Sequence, residues 1–317
     1  MACATVCDCN YALDNTRVGC VPLMGVEKRP WIMNERDSTG ALNYIDLTTT
    51  LNDAYFSGLI NNADPLARLY PLPEVKDISD AREEPVTFAW KDGTQVFVRD
   101  GVRKYSAMFP PDSATPQLLG ILETMRCAKP CKFSVDAKGT IWGRISDDGT
   151  KLYPIKMDPA SIAPIFIKPT DSEPQMIGWS FNFSPSEFDC KIRGLNASEL
   201  VGGIAPLDYD GLMDVFAKVI SCTTTKLTVK LYNSGGTPLN PETIKGLVVG
   251  DFALYNVTDS SAIALTGTGA AFAETSGTYG FTYATADQPI ATNVLRLTPT
   301  KAGYDFKSVI ATSIVVS

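Results

Sequence analysis

Between residues 84 and 183 apolar and polar positions alternate with the two-residue period of half-buried strands. Val86-Thr-Phe-Ala-Trp90 and Gln95-Val-Phe-Val-Arg99 flank Lys91-Asp92-Gly93-Thr94, and Asp-Gly between two alternating runs predicts a hairpin. The arrangement returns in Gly139-Thr-Ile-Trp-Gly-Arg-Ile-Ser146, Asp147-Asp-Gly-Thr150 and Lys151-Leu-Tyr-Pro-Ile-Lys156. Between the hairpins the period changes to that of a helix: Leu118, Leu119, Ile121, Leu122 and Met125 make one apolar stripe. Thr115 can cap that helix and Pro116 suits its first turn, where no N–H is needed. Strand-like runs at 162–167 and 176–183 close the segment. Upstream, Leu51, Ala54, Tyr55, Leu59 and Ile60 predict a short helix ending near Asn62, with Thr50 as N-cap and Asp53 at its third position. Residues 1–45, punctuated by Gly19, Pro22, Gly25, Pro30 and Gly40, read as an irregular arm that becomes ordered against another surface.

Residues 196–214 are rich in Gly, Pro and Asp and read as a linker. Beyond them short β-type runs follow at 215–222, 226–232, 251–257, 262–266, 278–284, 293–298 and 307–316, separated by Gly, Ser, Asn and Pro turns. That spacing predicts a β-sandwich. The expected fold class is therefore mainly β. A β-barrel- or sandwich-like body with one or two helices (α+β) occupies residues 1–205, including the arm at 1–45, and an immunoglobulin-like β-sandwich occupies 212–317.

The chain of 317 residues and 34.2 kDa is long enough for two such cores. Apolar residues at 44% and charged residues at 20% fit globular rather than disordered chains. No apolar run approaches the roughly 20 residues that span a bilayer, so no membrane span is expected. The first ten residues carry neither a basic nor an apolar region of a secretory signal, so synthesis in a cytoplasm is expected. The net charge of −7 is unevenly spread: residues beyond 210 carry seven charges of each sign, leaving 21 basic against 28 acidic in the rest. An acidic body without a basic stripe disfavours tight nucleic-acid binding while letting DNA pass without sticking.

Histidine is absent, and with it the usual group for proton transfer near neutral pH. Neither G-x-S-x-G nor S-x-x-K occurs, so no catalytic residue and no cofactor are assigned. Gly267-Thr-Gly269 lacks the third glycine and helix of a dinucleotide loop, and Asp208-x-Asp210-Gly211 lacks the distal Glu of a calcium loop; both read as turns. The acidic pairs Glu83/Glu84 and Asp147/Asp148 read as solvent-facing turn charges. Trp31, Trp90, Trp142 and Trp179 read as core or subunit-contact anchors ahead of a sugar platform. The pairs Cys3/Cys7 and Cys127/Cys131 have C-x3-C spacing allowed for structural zinc but lack flanking Gly and a second knuckle. Metal-free thiols are the favoured reading, with zinc on Cys3, Cys7, Cys127 and Cys131 the minor alternative.

Gly250-Asp-Phe-Ala-Leu-Tyr-Asn-Val-Thr-Asp259, Ala262-Ile-Ala-Leu and Gly303-Tyr-Asp-Phe-Lys-Ser-Val-Ile resemble a bacterial or phage immunoglobulin-like module, without the Cys…Trp…Cys core of antibody domains. The two Asp-Gly hairpins around an amphipathic helix are similar in layout to the tail tube proteins of long-tailed phages. That resemblance implies a virion structural protein, made in the host bacterium's cytoplasm, whose partners are itself and other virion proteins. Its copies would form rings, usually hexameric, that stack around a DNA-conducting lumen. Two other classes stay open at the level of sequence: a capsid decoration or glycan-binding adhesin, and a carbohydrate-active enzyme with an accessory sandwich, whose two carboxylates need meet only in space.

Overall fold

In the computed structural model, residues 24–187, 191–237, 239–310 and 312–317 are described. The chain divides into two units, Met1–Gly211 and Leu212–Ser317, each with its own hydrophobic cluster.

The first unit contains, in chain order, β1 (Glu27–Asn34), β2 (Ile45–Asp46), α1 (Asp53–Ile60), β3 (Leu69–Pro71), β4 (Lys76–Arg82), β5 (Val86–Ala89), β6 (Gln95–Arg99), β7 (Arg103–Phe109), α2 (Pro116–Thr124), β8 (Pro130–Asp136), β9 (Ile141–Ile145), β10 (Lys151–Tyr153), β11 (Ile155–Lys156), β12 (Ala163–Ile167), β13 (Met176–Asn182) and β14 (Ile192–Leu195). One sheet has the order β2-β10-β9-β8-β1-β3, with β11 on β8 and β14 on β9. A second runs β12-β13-β7-β4, and β5 pairs only with β6. The core packs Tyr105, Ala107 and Phe109 of β7 and Ile177, Trp179 and Phe181 of β13 against Leu118 and Leu122 of α2 and Ile32 and Ile155 of the first sheet. The period-2 alternation along β7 and β13 thus marks one face for the core.

Both predicted hairpins form. Gly93 and Gly149 hold φ of +87° and +72° at their tips, a backbone region that costs glycine nothing. Thr115 caps α2 as expected, its Oγ1 accepting from Leu118 N–H. Two local expectations are corrected. The cap of α1 is Asn52, whose carboxamide oxygen accepts from Tyr55 N–H, not Thr50. Within the α2 stripe, Ile121 is exposed while Leu118, Leu122 and Met125 are buried. Of the irregular arm expected at 1–45, residues 1–23 lie outside the described residues and 35–44 carry no strand, but the reading fails at Glu27–Asn34, because β1 lies between β3 and β8 as a largely buried strand. Pro30 does not break it: its carbonyl accepts from Leu72 N–H, and the register with β8 continues on both sides.

All seven residues of β8 are buried, Lys132 among them. The Lys132 ammonium sits 2.7 Å from Glu27 Oε2 and 2.9 Å from Ser134 Oγ, and 3.8 Å from the Tyr105 ring centre. Burial lowers the Lys132 pKa, opposed by the Glu27 carboxylate.

The stretch expected to be a linker is tied to the body through Asp210. Arg29 donates to Leu207 O and to Asp210 Oδ1, each at 2.6 Å, and Tyr209 packs on Trp31 and Phe56.

The second unit holds β15 (Met213–Asp214), β16 (Phe216–Cys222), β17 (Lys226–Gly236), β18 (Pro241–Thr243), β19 (Phe252–Asn256), β20 (Ser261–Ile263), β21 (Ala271–Thr275), β22 (Thr278–Thr282), β23 (Val294–Pro299), β24 (Tyr304–Asp305), α3 (Lys307–Ile310) and β25 (Ile314–Val315). Sheets β16-β17-β22-β21, with β18 on β17, and β20-β19-β23-β25 enclose Leu227, Val229, Leu231, Leu254, Tyr279, Phe281, Leu295 and Leu297. The run at 307–316, expected as one strand, is instead α3 followed by two residues of β25. Asp305 Oδ1 accepts from Lys307 N–H and starts the helical turn.

Because each unit buries its own core, residues 1–210 and 212–317 expressed separately are expected to be soluble and folded. Two native-like circular-dichroism spectra with cooperative melts would bear this out. A 212–317 fragment without a melting transition would refute it.

Candidate assembly interface

Local chemistry builds the first hairpin. Trp90 N–H donates to Thr94 O at 2.8 Å, and Asp92 Oδ1 accepts from Thr94 N–H at 2.9 Å, so the turn closes on its own residues. Phe88 pairs with Val96 and Ala89 with Gln95, placing Phe88, Trp90 and Val96 on one face and Thr87, Ala89, Gln95 and Phe97 on the other. Phe88 and Trp90 meet edge to face at 5.1 Å. A bulge at Val86/Thr87 brings Val86 opposite Arg99.

What sets this hairpin apart is its exposure. Every residue from 81 to 100 is exposed, including Phe88 at 53%, Trp90 at 58% and Val98 at 57%. Alternation of this kind is the signature of a face that gets covered, yet no described element of the chain covers it. Fully burying each large apolar side chain is worth about 1.5–3 kcal/mol, so Val86, Phe88, Trp90, Val96 and Val98 together are a strong drive toward a partner.

The hairpin joins the body through residues 83–85 and 100–102, which lie outside both ladders. Arg82 pairs with Arg103 at the end of the β4–β7 ladder, and Glu83 N–H donates to Val102 O one step beyond it; β5 and β6 then pair as a sheet of their own. Gly101 is required here: a Cβ would run into the backbone carbonyls of Glu83 and Glu84. Around the joint Arg103 forms a two-pronged pair with Asp80, both contacts at 2.7 Å, and lies 4.5 Å from the Phe183 ring centre. Lys104 pairs with Glu83 at 2.6 Å.

The second feature is the face of the β12-β13-β7-β4 sheet turned away from the core. Ser79, Ala81, Ser106, Ser180 and Asn182 line an open hollow of about 580 Å³ there. Most of its side chains are small and uncharged; the charged ones are Arg82 and the paired Lys104 and Glu83.

The residues singled out from sequence do not converge on a chemical centre. Cys127 is exposed in the short turn 125–127, whereas Cys131 is buried in β8, its thiol pushed up to about 12 by burial. Cys3 and Cys7 lie outside the described residues, and among the described residues no three His, Cys, Asp or Glu side chains gather as a metal site. Trp31, Trp142 and Trp179 are core residues, leaving Trp90 alone outside, so they form no sugar platform. Asp147 pairs with Lys191 at 2.8 Å, while the Ser146 hydroxyl and the Thr150 amide hold the Asp148 carboxyl down at about 2. Asp210 is occupied by Arg29. No protein-family model matches the chain, and no curated protein matches it.

Proposed function

We propose that this chain is a virion structural protein, a tail tube subunit whose copies form rings that stack around a DNA-conducting lumen. The observation that carries the reading is the hairpin of β5 and β6: an aromatic, apolar face that no other described element covers. Such a face on every copy favours contact between copies, and set against a different surface of its neighbour it repeats from subunit to subunit. The β12-β13-β7-β4 sheet supports the rest. Its outer strands β4 and β12 each have one unpaired edge in the sheet, open to lateral pairing with a neighbour. Its face is lined mostly by small hydroxyl-bearing side chains, with Arg82 and the paired Lys104 and Glu83 as its charged residues, which supports a surface that holds few phosphates. Among the described residues no helix is long and apolar enough to cross a membrane.

Electron microscopy of the purified full chain tests the assignment. Rings or tubes are expected at micromolar concentration. A species that sediments as a monomer at every concentration overturns it.

A further inference from the structure

The sheet of β16, β17, β22 and β21 in the second unit turns one face to the core, and its other face carries charge of one sign. Leu227, Val229 and Leu231 of β17 belong to the core, so Lys226, Thr228, Lys230 and Tyr232 point outward. The register extends this outer face to the neighbouring strands. Phe216 and Lys218 of β16 stand opposite Tyr232 and Lys230, while Thr282, Gly280 and Thr278 of β22 stand opposite Lys226, Thr228 and Lys230. Glu274 is the one acid in these four strands. It stands opposite the buried Tyr279, and its Oε1 accepts from Gly277 N–H at 2.9 Å. Glu242 of the short β18 is taken up by Asn233 Nδ2 at 2.8 Å. The ammonium groups of Lys218, Lys226 and Lys230 and the hydroxyls of Thr228, Thr278 and Thr282 are engaged by none of the described residues.

Two features of this face work against the sheet itself. Lys218 and Lys230 are direct cross-strand neighbours, and like charges in that position are unfavourable. Gly280 lies in the middle of β22, where a glycine weakens a strand and marks a place of close approach. A Cβ there would come within 3.3 Å of Lys226 Cε, so the glycine leaves room for the Lys226 stem to lie across the sheet. Both departures serve the display of positive charge.

We propose that this face binds an acidic polysaccharide, whose carboxylates meet the lysines, whose hydroxyls meet the threonines and whose sugar rings rest on Phe216 and Tyr232. The inference stands apart from the self-assembly reading and concerns the second unit alone. Lys226 and Lys230 are four residues apart on β17, about 13 Å along the strand, a spread that suits a polymer with repeated negative groups better than one small anion. Threonine hydroxyls both donate and accept, which matches a polymer rich in hydroxyls, whereas phosphodiester oxygens only accept. A flat sheet face also offers no helix or ribbon to enter a duplex groove. Phe216 and Tyr232 are half-buried, with ring centres 5.9 Å apart and planes inclined by 30°, and form an aromatic shelf beside the Lys218–Lys230 row.

The test measures binding of the full chain to polygalacturonate, neutral dextran, polyglutamate and duplex DNA. Polygalacturonate is expected to bind and to be released by added salt, with dextran not bound. Lys218→Glu/Lys230→Glu is expected to weaken that binding by roughly tenfold or more, since contacts between lysine and a polyanion carry much of such an affinity. Lys230→Glu alone turns a like-charge pair into an opposite-charge pair, so it is expected to lose binding while its melting temperature falls no lower than that of the unmodified chain. No binding of polygalacturonate, or equal binding by the double variant, overturns the proposal. Dextran bound as tightly as polygalacturonate removes the lysines from the contact and overturns it as well. Polyglutamate or duplex DNA bound as tightly as polygalacturonate would reassign the face to an acidic protein or to nucleic acid and overturn the polysaccharide. Sedimentation of the same variants reads self-assembly separately, so failure of one reading is distinguishable from failure of the other.

Discussion

A chain carrying Phe88→Ser and Trp90→Ser is expected to remain monomeric at concentrations where the unmodified chain assembles, with its melting temperature nearly unchanged. The asymmetry follows from burial. Both rings are more than half exposed in the free subunit, so removing them takes nothing from its core, and surface substitutions of this kind usually change stability by about 0.5 kcal/mol or less. In an assembled contact the same rings are the large aromatic anchors whose truncation commonly costs about 2 kcal/mol or more each. Two such losses weaken association by roughly a thousandfold. Sedimentation velocity and a thermal melt on one preparation read both halves. Undiminished assembly of the double variant removes the hairpin from the interface, and a large drop in melting temperature would mean the rings belong to the subunit's own fold.

Lys132 is expected to show the opposite pattern. Replacing it with Met should destabilise the first unit by about 3–5 kcal/mol, the usual consequence of leaving one member of a buried ion pair without its partner. The reason lies in its surroundings: the Lys132 side chain is fully buried, its Glu27 partner is 8% exposed, and Glu27 Oε1 has no hydrogen-bond partner of its own. Removing the ammonium leaves a carboxylate that must remain charged in an apolar place or take up a proton. Lys132→Met combined with Glu27→Leu should recover most of the loss, because an apolar pair of similar volume asks for no compensation. Denaturant titration of residues 1–210 checks this, and equal stability of Lys132→Met and the unmodified unit would show that the pair contributes nothing. In this respect β8 departs from the sequence pattern. Alternation along Cys131-Lys-Phe-Ser-Val135 places Lys132 on a polar side, whereas both sides of β8 are buried, and only a partner 105 residues away makes that tolerable.

The same division between near and far decides what else was legible. The Asp-Gly turns and the Thr115–Pro116 start of α2 depend on residues a few positions apart, and both formed as read. The identity of β1 depends on β8 and on Leu72, neither of which its own sequence announces, so Pro30 looked like a breaker in a place where the strand simply continues. At 307–316 the apolar spacing suits a strand, but Asp305 bonding to Lys307 turns the backbone into α3 first. For the candidate interface, Val86, Phe88 and Trp90 announced a face to be covered. Alternation carries no information about what covers it, and the exposure of that face emerged only once every other element had found its place.

The short root at Gly101 has a mechanical consequence. Only Asp100, Gly101 and Val102 separate β6 from β7, so a pull on the hairpin tip along the strands travels through the backbone into β7. It passes into the six residue pairs that join β7 to β13, from Lys104↔Asn182 to Phe109↔Ile177. Hydrogen bonds of an antiparallel ladder lie across the strands, so this tension loads them in shear and the pairs resist together, whereas a sideways pull would open them one after another. A subunit linked through such a ribbon bears tension along its strands far better than it bears peeling.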